Sequence, residues 1–125
     1  MGLVNGILRV ESIAVFLAGV GLYLGSGGNP LGLPLLFAPD LSIAGYLGGP
    51  RVGALTYNLV HNWALAVLVF AAGWWLAVPG LLLAAYLIAA HVGMDRALGY
   101  GLKLPTAFTD THLGRIGKHR PEERA

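Results

Sequence analysis

The chain has 125 residues, of which 56% are hydrophobic and 11% charged. Soluble domains carry about 25% charged residues, so this composition, with a mean hydropathy of +0.68, excludes an ordinary water-soluble domain and points to one integral membrane domain. The absence of cysteine excludes disulfides, thiolate catalysis and cysteine-ligated metals, and a formal charge of +2 carried mostly near the C-terminus reads as an orientation signal, not a nucleic-acid surface.

The expected fold is all-α, an integral membrane four-helix bundle, because the alternating strands of a barrel are not visible. A span needs about 20 apolar residues. The first covers about residues 6–24 and is expected to stay as an anchor, since Arg9 and Glu11 precede its apolar run and no A-x-A site follows closely. "GSGGNP" ends it. The second span, about 31–49, contains Pro34, Pro39 and Asp40, and is expected to be kinked or broken at Pro39-Asp40. Pro50 opens the third span at a first-turn position, and that helix is expected over about 51–75. "AVPG" turns the chain into the fourth span, about 80–100. Residues 103–125 form a basic tail, in which Phe108, Leu113 and Ile116 suit a membrane surface. Asp110 and His112 of that tail are placed to reach the mouth of the bundle.

With four spans, all eight basic residues (Arg9, Arg51, Arg96, Lys103, Arg115, Lys118, Arg120 and Arg124) fall on one side. The positive-inside rule makes that side cytoplasmic, with both termini there and the chain a multi-pass protein of the cell's inner (plasma) membrane. Small-residue pairs such as Ala14 and Ala18, Gly45 and Gly49, and Ala85 and Ala89 suit close helix packing. The expected partners are membrane lipids and a second copy of the chain; no nucleic acid is expected.

A helix rises about 1.5 Å per residue. On that scale Asp40, Tyr57, Asn58, His61, His91 and Asp95 share one layer in the cytoplasmic half, with Glu11 about one turn into the first helix. His91 and Asp95 are four residues apart, as are Tyr57 and His61, so each pair points one way. An ionisable group facing lipid costs about 2.5 kcal/mol or more, which turns these faces inward to meet. Two imidazoles and two carboxylates suit zinc or another first-row divalent metal. The expected ligands are Asp40, His61, His91 and Asp95, with Asp40 and Asp95 also as catalytic carboxylates. Glu11, Arg51, Tyr57, Asn58 and Arg96 are the expected substrate-binding residues, the arginines for an anionic group. Tyr46 and Tyr57 also read as interfacial belt residues. Haem held by His61 and His91 is not favoured, because Asp95 and Asn58 are polar neighbours.

The strings "FAPDLSIAGYLGGPRVGALTYNLVH", "HVGMDRALGYGLK" and "FTDTHLGRIG" closely resemble a family of small bacterial membrane proteins catalogued as domain of unknown function 4260. That resemblance covers nearly the whole chain and implies the membrane-helical architecture without implying an activity. Pro39-Asp40, His61, His91 and Asp95 are also similar to the pattern of inner-membrane metal-dependent hydrolases. The latter have a richer His and Ser motif where this chain has "YNLVHNW". Three readings follow. One is a metal site acting as a hydrolase on a lipid or other amphiphile. The second is a small proton- or ion-coupled transporter. The third is a structural or partner-binding membrane protein.

Overall fold

The computed structural model describes residues 2–116. Lys118, Arg120 and Arg124, part of the expected basic tail, lie outside the described residues. The order is α1 (Gly2–Gly25), a 3₁₀ helix (Pro30–Gly48), α2 (Pro50–Val60), α3 (Trp63–Leu76) and α4 (Pro79–Ala97). A short antiparallel hairpin follows, β1 (Asp110–Thr111) against β2 (Gly114–Arg115).

α1 and the 3₁₀ helix are each long and apolar enough to cross a membrane; α2 and α3, bent by 47° across their break, together supply a third candidate span. α4 has 19 residues, but His91, Asp95 and Arg96 keep it out of that set. It is nevertheless the hub. α1, α3 and the 3₁₀ helix all pack on it, and Ala90, His91 and Val92 are wholly buried. Apolar surface lies on the other helices instead, with Leu17, Val67 and Leu68 exposed.

α1 meets α4 through a face made by Ser12, Phe16, Gly19 and Tyr23. These residues are three or four apart and line one side of a helix. Two glycines let the backbones touch. A Cβ on Gly19 would sit 2.7 Å from the Tyr86 carbonyl oxygen, and one on Gly93 would sit 2.7 Å from that of Ser12. Ala14 and Ala18, expected to pack closely, are exposed, because the register turns the Ser12 face inward. Gly93→Ala is expected to destabilise the protein by about 1–2 kcal/mol. The overpacking cost of about 1–3 kcal/mol outweighs a helix-propensity gain of about 1 kcal/mol or less. Unfolding in detergent measures it.

The second segment is not broken at Pro39-Asp40. It runs as one 3₁₀ helix from Pro30, capped by the Asn29 side chain, through Pro34 and Pro39 to Gly48. In this helix three residues make a turn. Phe37, Asp40 and Tyr46 therefore fall in one row. The break lies instead in the third segment, between Val60 and Trp63, where a single helix was expected. Asn62 accounts for it. Its Oδ1 accepts from the Leu65 N–H at 2.8 Å, capping α3. Its Nδ2 donates to the carbonyls of Asn58 and Leu59, two of the four that the end of α2 leaves without helical donors.

The chain after α4 folds back on α2. Asn58 Nδ2 donates to the Lys103 carbonyl at 2.8 Å, and the Lys103 N–H donates to Asn58 Oδ1 at 2.6 Å. Lys103 also bridges Thr111 of the hairpin. The Leu102 N–H donates to His112 Nδ1 at 2.8 Å. Protonation would remove that acceptor. Partial desolvation, then the nearby Arg96 charge, holds the His112 pKa below its ordinary value. The contribution of this contact is thus present above about pH 6.5, the ordinary histidine value, and is lost as pH falls through the lower folded value. Amide exchange of residues 102–116 in metal-free protein should be slow at neutral pH and faster in mild acid, with no such change in His112→Gln.

Candidate metal centre

The 3₁₀ row brings Asp40 onto α2 and α4. The end of α2 supplies His61, and one face of α4 supplies His91 and Asp95. One ligand atom from each of the four residues lies within 4.8 Å of every other. His61 Nε2 is 3.2 Å from Asp40 Oδ1, 3.7 Å from Asp95 Oδ2 and 3.0 Å from His91 Nε2. His91 Nε2 is 3.2 Å from Asp40 Oδ1 and 3.3 Å from Asp95 Oδ2. A tetrahedron whose centre lies about 2.0–2.1 Å from each donor has edges of about 3.3–3.4 Å. Five of the six separations scatter around that value; the sixth, between the Asp40 and Asp95 carboxylates, extends to 4.8 Å.

The helix break sets the chemistry of His61. Its Nδ1 lies 2.8 Å from the Tyr57 carbonyl oxygen, another terminal acceptor of α2. A carbonyl only accepts, so Nδ1 carries a proton, and in the neutral ring Nε2 turns its lone pair to the cluster. This is the outer hydrogen bond that orients metal-binding histidines. The Tyr57 ring stacks on His61, with centroids 3.6 Å apart and planes 6° from parallel. The Tyr57 hydroxyl reaches Asp95 Oδ2 at 3.3 Å. His91 is held by Phe37, edge to face at 6.4 Å. Its Nδ1 falls short of hydrogen-bond geometry with the Leu36 carbonyl, which Pro39 has no N–H to pair in a 3₁₀ helix. Three members are buried, while the Asp40 side chain is 43% exposed and marks the open side.

The remaining expected site residues lie elsewhere. Glu11 is exposed on α1, one residue and about 100° from the buried Ser12. Arg51 is exposed at the start of α2. Arg96 turns to the break, donating to the His61 carbonyl at 3.4 Å with its guanidinium 5.5 Å over the Trp63 ring. Among the described residues, Asp40 and Asp95 face the imidazoles of His61 and His91, and no ion pair joins either carboxylate to Arg9, Arg51 or Arg96. Asn58 holds Lys103, as described. Asp110 accepts from the Thr106 hydroxyl within the tail. Tyr57 is buried, not interfacial; Tyr46 buries its hydroxyl and packs edge to face on Phe108. Two rings whose Nε2 atoms are 3.0 Å apart cannot be the opposed axial ligands of one haem.

Sequence reasoning missed Lys103. It is only 4% exposed, and its ammonium lies 3.8 Å from the Phe108 ring centre and 4.8 Å from that of Tyr57. Burial pushes its pKa down, partly opposed by Asp95 and Asp40. Two aromatic faces stabilise a desolvated ammonium by cation–π attraction.

Among protein-family models, the one described as Domain of unknown function (DUF4260) matches residues 5–116. The chain belongs to the DUF4260 family. The DUF4260 match spans the four donors, Tyr57, Asn58, Lys103 and the hairpin. No curated protein and no solved structure matches the chain. The comparisons thus supply a family for this small apolar helical protein, and nothing in them supports the resemblance to metal-dependent hydrolases.

Proposed function

We propose that Asp40, His61, His91 and Asp95 bind one divalent cation of zinc type, and that the protein is a membrane-embedded hydrolase acting on an amphiphile. The observation carrying this reading is the bare Nε2 of His61. It faces two carboxylate oxygens and a second imidazole at 3.0–3.7 Å. A cation placed between converging acceptors offsets their loss of water. Two buried histidines and two carboxylates, with no cysteine, suit a borderline metal.

When bound, such a metal supplies Lewis acidity and activates water near neutral pH. A catalytic zinc keeps three protein ligands and one open position. Asp40, whose side chain is the exposed one, would be the carboxylate to take a proton from the attacking water and pass it to the leaving group, while Tyr57 would hold Asp95 in place. In the proposed topology the α2–α3 pair makes one pass, α4 makes another, and the basic end faces the cytoplasm. The antiparallel contacts of α1 with α4 support this by placing the Arg9 end of α1 beside the Arg96 end of α4.

A second reading, ion carriage, draws on the break itself. Discontinuous helices form ion sites in transporters, and His61 stands at a 47° bend. Elemental analysis of protein purified in detergent should find about one zinc-type ion per chain. Absence of metal after zinc loading would overturn the centre. Zinc uptake into proteoliposomes without hydrolysis of any lipid ester would favour carriage.

A further inference from the structure

A cavity of about 570 Å³ lies between the 3₁₀ helix, the α2–α3 break and α4. Leu35 and Pro39 of the 3₁₀ helix form one wall, and Val60 and Leu65 form another. On α4, Gly80, Ala84 and Leu87 line the floor. Its volume lies within the range of about 300–1,000 Å³ usual for ligand sites. The lining is apolar apart from Tyr23, whose hydroxyl is already given to the Asn29 carbonyl at 2.8 Å. Along its length the cavity therefore offers no polar partner to a ligand.

One end differs. Pro39 and Val60 of the lining precede Asp40 and His61 by one position, about 100–120° around their helices, so it is α4 that joins the cavity to the donors. On α4, Leu87, His91 and Asp95 are spaced by four and share a face. The same stripe of α4 is hydrocarbon from Gly80 to Leu87, over about 10 Å, and then becomes donors. A ligand that fills this space is apolar along its body and polar at one tip. It lies along the helix axes, as lipid chains do. A head placed at Asp40 meets the exposed member of the cluster.

We propose that this groove holds one hydrocarbon chain of a membrane lipid, with the lipid's polar head at Asp40. The assignment rests on the proposed hydrolase for its meaning, but chain binding is measured separately from metal. The probe is phosphatidylglycerol with a diazirine midway along one chain, in nanodiscs containing the full-length protein. Labelling at Leu83, Ala84 and Leu87 should saturate with probe and be displaced by unmodified phosphatidylglycerol. Labelling at the exposed Leu17, Val67 and Leu68 should rise linearly, as annular lipid does. Ala84→Phe should cut the saturable fraction at least tenfold. Gly80→Phe serves as a second filling variant, because a Cβ there meets nothing within 4 Å. Metal content of both should equal that of the native protein. His91→Ala should bind zinc roughly 100- to 1,000-fold more weakly and keep saturable labelling. Linear labelling at the groove of the native protein, or saturable labelling unchanged in both filling variants, would overturn the proposal. Failure of the native protein to bind zinc, with saturable labelling intact, would sink the hydrolase reading and leave the groove standing.

Discussion

His91→Ala is expected to weaken zinc binding by roughly 100- to 1,000-fold. Four-ligand zinc sites have apparent binding free energies of about 10–16 kcal/mol. One ligand's share is about 2.5–4 kcal/mol, and each 1.4 kcal/mol is a factor of ten. His91 is the most sheltered donor, fully buried and held by Phe37, so water cannot readily replace it. Competition with a chelator of known affinity measures the loss. An affinity within a few-fold of the native protein would remove His91 from the ligand set. Without metal the variant is expected to stay folded, because Ala90, Val92 and Gly93 keep the α1–α4 packing.

Asn58→Ala is expected to destabilise the protein by about 2–4 kcal/mol and to release the tail. Asn58 gives one donor and one acceptor to the Lys103 backbone at 2.8 and 2.6 Å. Each group left unpaired costs about 1–3 kcal/mol when buried. Freed of this pairing, Lys103 leaves the Tyr57 and Phe108 rings and enters water. Its reaction with an amine-acylating reagent, followed by mass spectrometry of the tryptic peptide, should rise at least tenfold. Asn58→Asp keeps the acceptor and loses the donor, and an intermediate cost is expected. Equal reactivity of Lys103 in native and Asn58→Ala protein would show that other contacts hold the tail.

Part of this site was legible in the residues. Asp40, His61, His91 and Asp95 were placed at one depth, and the cost of charge in lipid turned them toward each other. The i, i+4 spacing of His91 and Asp95 survives in α4 as a single face. Glu11 was not legible, because depth alone says nothing of rotation about α1; the buried stripe runs through Ser12, one residue away. The 3₁₀ helix was missed because its period is three, and a reading built on 3.6 residues per turn finds only prolines and a polar interruption. A sharper signal was available at the break. Asparagine immediately before "WALAVL" is an N-cap pattern, but it lay inside an apolar stretch of span length and was read through. Lys103 had no local signal. Its burial arises from a long-range pairing with Asn58, forty-five positions earlier.

The least hydrophobic long helix is the one most enclosed by protein. That inversion has a consequence for biogenesis. On insertion scales an aspartate or arginine costs about 2.5–3.5 kcal/mol at the centre of a membrane helix and less toward its end; α4 carries Asp95 and Arg96 in its last turn and His91 one turn deeper. Under the proposed topology α4 is a poor substrate for a translocon that tests each segment alone. α1 and the 3₁₀ helix precede it in synthesis and have the composition to enter unaided. α4 then enters against partners already in the bilayer, and its polar stripe never meets lipid. A lesion at the Gly19 or Gly93 contact would therefore surface in the cell first as an α4 left outside the membrane and degraded.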